Sequence, residues 1–221
     1  IGLALRTVIL DLFMGLAIHV ERPFKIGDWV MLHQNRVETH IVAEIIEVKV
    51  PDMHVSTHMS NIVFPAEAAT IHGNWLRERP EDYQAQVRSR YEPGLYIPAT
   101  KYLSALGARV NLLKEFCNKV FTKVDVLHTP GLSMAVPSLA DTDVEAGQGM
   151  PEMVARLSWT TRSNNYLGIP ALAVPCGFTA DGLPAGFQLM GRPFSEAQLF
   201  QLGHAYQGAT DWHQRVPDIS A

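Results

Sequence analysis

The sequence predicts an α/β fold whose sheet is covered by helices on both faces. Short runs of continuous apolar character, "VDVL", "ALAVPCGF" and "GFQLM", alternate with longer segments of helical periodicity. Strands of that kind are buried on both sides, as in layered α/β sheets. The chain has 221 residues, 47% apolar and 18% charged, enough for a real core as one domain or one and a half.

In chain order, residues 1–20, "IGLALRTVILDLFMGLAIHV", read as a helix. Its length could reach across a bilayer core, but Arg6, Asp11 and His19 make a lipid-exposed span expensive. A buried or interfacial helix is expected, and membrane contact only through residues 1–20. The run is not a cleavable signal, and a start at Ile1 leads us to expect a chain whose true beginning is missing. Pro23 and Gly27 stop the helix, "DWVML" is a short strand, and "AEIIEVKV" over residues 43–50 is another.

From Pro51 the texture becomes helical. Asp52 can cap a helix that places Met59, Ile62, Val63 and Ala66 at helical spacing and breaks at Pro80. After Pro98 a second long helix sets Leu103, Leu106, Val110, Leu113, Phe116 and Val120 on one side. "VDVLHTP" is a strand from Val124 ending in a Pro130 turn, and residues 131–151 read as a long surface loop. Two further strands are joined through "TADGLP", where Asp181 and Gly182 supply the turn. Ser195 and Gln198 have the spacing of a capping box, with Leu199, Leu202 and Tyr206 on the buried side of the helix that follows.

Composition excludes several function classes. A net charge of −4 gives no broad basic surface, so no nucleic-acid partner is expected. Cys117 and Cys176 are too few for a disulfide framework and fit a reducing, cytoplasmic compartment. His54 and His58 lie four apart, but no third ligand is apparent and "HVSTH" lacks the Glu of a zinc protease, so no metal site is assigned. The sequence has no G-x-S-x-G elbow and no phosphate-binding glycine motif, and no cofactor is expected.

The stretch "NYLGIPALAVPCGFTADGLPAGFQLMGRPFSEAQLFQLGHAYQGATDWH" carries Gly168, Pro170, Pro175, Gly177, Gly182, Pro184, Gly186, Gln188 and Gly191 in a fixed spacing. With "SNIVFPAEAATIHGNWLRERPEDY" and "VDVLHTP" upstream, it resembles the C-terminal portion of the amidase signature family over residues 49–221. The resemblance implies a partial amidase-signature fold, a mixed β-sheet flanked by helices, with an N-terminal helix and short strands. It implies hydrolysis of amide or other C–N bonds by a Ser–cis-Ser–Lys triad, the activated-nucleophile logic with Lys as base. No paired serines or matching Lys occur here, so no catalytic residue is assigned and the chain alone is expected to be inactive.

What the resemblance leaves is part of a substrate wall. Arg90, in "QVRSRYEPG", matches a region where the A component of the glutamine-dependent tRNA amidotransferase contacts its substrate. Ser158 stands where that component places an acidic residue, a departure that favours a broader amidase. Thr129 and Pro130 lie just past a strand end, where α/β sheets present ligands. The expected partner is a small amide substrate once a missing half completes the site.

Residues 1–32, through "DLFMGLAIHVERPFKIGDWVML", instead resemble the junction of pore helix and β-domain in small-conductance mechanosensitive channels. The expected division is a channel-like fragment over 1–48, with a join between 33 and 48, and an amidase part over 49–221. Three readings follow: a truncated amidase fused to a channel-like piece, a non-catalytic binding or scaffold module that self-associates through uncovered apolar surface, and a channel-related membrane fragment.

Overall fold

The computed structural model describes residues 2–7, 29–32, 41–144 and 149–216. Six strands are present among them: β1 (Gly2–Thr7), β2 (Trp29–Leu32), β3 (Ile41–Glu47), β4 (Val126–Pro130), β5 (Ala171–Phe178) and β6 (Pro184–Gly191). The α-helices are α1 (His54–Glu78), α2 (Ala85–Tyr91), α3 (Ala99–Lys119), α4 (Leu139–Thr142), α5 (Gly149–Leu157), α6 (Arg162–Leu167) and α7 (Glu196–Ala209). These elements divide into two compact units, one drawn from residues 1–50, 116–135 and 168–221, the other from 51–115 and 136–167.

The first unit is a mixed sheet in the order β2-β3-β1-β4-β6-β5. β1 runs parallel to both β3 and β4, and the other neighbouring pairs are antiparallel. Residues 2–7 are thus a strand, not the start of the expected helix. Lying between β3 and β4, they fill two strand edges that would otherwise be open, and such pairing overrides local pattern. The rest of that expected helix, residues 8–20, lies outside the described residues.

β5 and β6 form the expected hairpin. Gly182 takes φ 77° in the turn, and the Thr179 N–H donates to the Leu183 carbonyl at 2.7 Å. Pro175 falls inside β5 and not at its end. A register shift between Pro175 and Gly177 accommodates it, since proline has no N–H for the ladder. On one side of the sheet, Leu199, Leu202 and Ala205 of α7 are buried with Ile45, Val126, Val174 and Leu189, and Tyr206 packs against them. Each fully buried Leu of this kind stabilises the fold by about 1.5–3 kcal/mol. The expected Ser195–Gln198 capping box does not form. The Ser195 hydroxyl donates to the Arg192 carbonyl at 2.8 Å, and its side chain makes no cap hydrogen bond.

In the second unit the Asp52 carboxylate accepts the His54 N–H at 2.9 Å, and α1 ends two residues before Pro80. Val63 is buried, and Met59, Ile62 and Ala66 are half-buried beside it. α3 departs from expectation: in this unit Ala105 is buried, but Leu103 and Val110 are 63% and 55% exposed, while Phe116 and Val120, which belong to the first unit, are buried there. The physical reason is α6, whose Tyr166 hydroxyl donates to the Ala105 carbonyl and draws that side of α3 inward. Within residues 131–151 the structure has order that composition hid. Ser138 caps α4 by accepting the Asp141 N–H at 3.1 Å, Asp141 accepts the Ser138 N–H at 3.3 Å, and α5 begins at Gly149.

Two glycines give opposite expectations. A Cβ on Gly94 would lie 1.8 Å from the Pro65 carbonyl oxygen, a backbone atom that cannot step aside. Gly94→Ala should therefore cost about 3 kcal/mol or more in urea unfolding. Gly107, inside α3, faces open space, and Gly107→Ala should stabilise by about 0.5–1 kcal/mol. Equal unfolding midpoints for the two variants would contradict both packing statements.

Candidate functional site

The residues expected to face substrate fall on both units. In the helical unit Arg90 sits in the last turn of α2 with its guanidinium 5.0 Å from the centre of the Phe64 ring. That is a cation–π contact, in which the ring's negative face attracts the charge. Ser158 follows α5, and its hydroxyl donates to the Val154 carbonyl at 2.6 Å. Its own carbonyl accepts the Arg162 N–H at 2.9 Å, which starts α6.

Arg162 was not singled out from sequence, yet it shares a turn of α1 with Arg90. Its Nη1 donates to Asn61 Oδ1 at 2.6 Å, three residues before Phe64. Burial, and then the nearby charge of Arg90, hold Arg162 below the usual arginine value. Two half-buried guanidinium groups thus converge on residues 61–64. No signal in the local sequence marks this, because the contact spans 101 positions.

Other polar side chains meet nearby. Ser56 Oγ donates to Ser163 Oγ at 2.9 Å and Thr57 Oγ1 lies 3.2 Å from it, tying α1 to α6. Serines that look isolated in sequence are therefore adjacent in space. Among the described residues these hydroxyls hydrogen-bond to no Lys or His, so they hold helices together without an activating base. His54 and His58 do not act as a pair. The His54 ring packs edge-on against Trp159 at 4.9 Å, and His58 Nδ1 bonds the His54 carbonyl at 2.8 Å. Among the described residues, no three His, Cys, Asp or Glu side chains come together as a metal site.

In the sheet unit, Thr129 and Pro130 are the last two residues of β4, not residues beyond its end. They pair with Gln188 and Phe187 of β6. Thr129 is buried, and its hydroxyl oxygen has no hydrogen-bond partner among the described residues. The Pro130 carbonyl accepts from Gln188 Nε2 at 3.5 Å. One residue earlier, on the opposite face, His128 packs against Phe187 with ring centres 4.6 Å apart. Its Nδ1 is buried without a partner among the described residues, and burial pushes the imidazole down to about 4. Cys176 and Cys117 are half-buried, and burial raises both thiols, that of Cys117 against the pull of the Arg192 charge.

The amidase family matches residues 26–200. The chain belongs to the amidase family. It is 39% identical over 163 residues to the A component of the glutamyl-tRNA(Gln) amidotransferase of Chloroflexus aggregans, covering 71% of this chain and 32% of that protein. It is 35% identical over 184 residues to an amidase of Pseudomonas putida, covering 80% of this chain and 38% of that protein. A crystal structure of an amidase superposes with a TM-score of 0.64 and 29% identity, over 76% of this chain and 38% of that one. The chain thus spans about a third of the length of the curated relatives it matches.

The amidase-family match overlaps only residues 26–32 of the stretch read as channel-like. It begins at residue 26 and runs through the 33–48 stretch where a join was expected. β2 and β3, which fall in that match, pair in the same sheet as the strands of the C-terminal segment. Nothing in these similarities supports a channel segment. Among the described residues no helix is long and apolar enough to cross a membrane.

The depressed His128 value fixes a sign. The folded state keeps the ring neutral, whereas the unfolded chain takes up a proton near the usual 6.5. Its contribution to stability is therefore complete above that pH and is lost as pH falls toward about 4. Urea midpoints should drop between about pH 7 and about pH 4.5, and His128→Leu should flatten that drop. A variant with an unchanged pH slope would assign the effect to another group.

Proposed function

We propose that this chain builds the sheet and part of the substrate wall of an enzyme that hydrolyses small amides or related C–N bonds. The single observation that carries this reading is the amidase-family match over residues 26–200, which takes in most of the strands and helices described above. Arg90 and Ser158 on the helical unit, and Thr129 and Pro130 at the end of β4, are substrate-wall residues in this reading. The resemblance implies attack by a serine alkoxide on the carbonyl carbon, with a lysine taking the proton and backbone N–H groups holding the oxyanion. No residue of this chain matches that serine pair or that lysine, so the 221 residues by themselves do not catalyse the reaction. Purified protein should leave simple aliphatic amides intact and should not label with a serine-directed fluorophosphonate. Stoichiometric labelling of one serine would overturn this assignment.

A second reading, a non-catalytic module that binds another chain or itself, is favoured by one feature. Phe194 is 95% exposed, and its backbone takes φ 66°, a conformation costly for a bulky residue. Phe200, on α7, is 62% exposed as well. Aromatic groups left in water on one unit favour association. The sedimentation coefficient should rise with protein concentration, and Phe194→Ser with Phe200→Ser should abolish the rise. A concentration-independent monomer would remove this reading.

A further inference from the structure

We infer that the outer face of α7 is a docking surface for a second copy of this chain, packed antiparallel about a two-fold axis at the level of residue 202. The inference rests on the reading of the chain as a module that binds itself, and it names the surface and the occupant.

α7 buries Leu199, Leu202, Gly203 and Ala205 on its sheet side. Ala197, Phe200, Gln201, His204 and Gly208 are exposed. Their spacing of i, i+3, i+4, i+7 and i+11 lines them along the opposite side of the helix. That side has no ionic group: residues 197–210 contain no Lys, Arg, Asp or Glu, in a chain where charged residues make up 18%. The solvent side of a helix ordinarily carries such charges, and their depletion marks the centre of an interface. Phe200 stands in the middle of it, 62% exposed.

The lack of charge also selects the occupant. In a two-fold contact each residue near the axis meets its own copy, so any charge there would face its like. A charge-free face avoids that repulsion, a condition that a different protein does not impose. Antiparallel packing also sets the two helix dipoles in the favourable sense. With the axis at residue 202, Phe200 of each copy lies level with His204 of the other, where the rings can stack. Glu196 falls level with Gly208 of the second copy, where no side chain holds the helices apart.

The turn before α7 is an independent observation on the same unit. Residues 192–195 form a β-turn closed by the Ser195 N–H donating to the Arg192 carbonyl at 3.0 Å. Pro193 takes its second position and Phe194 its third, with φ 66°, where glycine or asparagine is the favoured residue. An aromatic side chain held there at a cost, and 95% exposed, extends the apolar surface past the start of the helix.

A single helix face falls below the roughly 1,200 Å² that stable complexes bury, so the dimer is weak. Sedimentation of the 221-residue protein from about 10 μM to about 1 mM covers that range. The wild type should pass from monomer to dimer. Gln201 is exposed and lies about 3 Å along the helix from its own copy. Gln201→Arg and Gln201→Glu should therefore each weaken dimerisation about tenfold or more, and an equimolar mixture of the two should restore it. Circular dichroism establishes that each variant is folded. If a charge variant unfolds, cross-linking decides: Gln201→Cys should join to its own copy through a short bis-maleimide. Glu196→Cys, about 18 Å from its copy along the helix, should not, and neither should the wild type with Cys117 and Cys176 alone. Undiminished dimerisation of both charge variants, or a mixture no more associated than either alone, would overturn the axis on α7 while self-association elsewhere, and with it the self-binding reading, still stood. A wild type that stays monomeric throughout would remove both.

Discussion

The sheet unit depends on β4, a five-residue strand that must satisfy both its edges and both its faces at once. β1 occupies one edge in parallel and β6 the other in antiparallel register. Val126 and Leu127 are fully buried on opposite faces. A strand so enclosed leaves no room for an unpaired backbone group, which is why residues 2–7 are drawn in beside it. The same enclosure makes His128 costly to protonate and leaves the Thr129 hydroxyl without a partner among the described residues. At the end of β4, Thr129 and Pro130 remain in the ladder, opposite Gln188 and Phe187.

The helical unit uses a different logic. Its spine is α1, which contacts elements far away in sequence through small polar groups as much as through apolar packing. Ser56 and Thr57 meet Ser163, Asn61 meets Arg162, Phe64 meets Arg90, and the Pro65 carbonyl lies against Gly94. Hydrogen bonds of this kind add little net stability each, but leaving one partner buried and unpaired is expensive. They therefore fix which residues of α1 face which partner. That specification is what turns two arginines 72 positions apart, at 90 and 162, into neighbours.

The family pattern resides in glycines and prolines whose roles are conformational, such as Gly182 in the hairpin turn. Those residues build a sheet and react with nothing. Among the titrating groups of the sheet unit, burial keeps His128 neutral and raises both cysteine thiols, which suits them to packing more than to nucleophilic work.

Much of the fold was legible from residues alone. The β5–β6 hairpin followed from Asp181-Gly182, the stop of α1 from Pro80, and the buried line Leu199–Leu202 from helical spacing. Each of these rests on contacts within a few residues, where sequence spacing and physical distance are nearly the same thing. What local pattern misjudged depends on distant neighbours. Residues 2–7 look helical until β3 and β4 offer them two edges, and the apolar line on α3 is diverted by Tyr166, 61 residues away from Ala105. Capping showed both outcomes: Ser195 has the right spacing but turns back to Arg192, whereas Ser138 forms the box inside a stretch that composition marks as loop. Of the candidate site, the sequence by itself determined the family, through it Arg90 and Ser158 as positions of interest, and through their place near a strand end Thr129 and Pro130. Only the tertiary structure decided that Arg162 stands with Arg90, because a repulsive pair of charges is visible only once the chain has folded them onto the same turn of a helix.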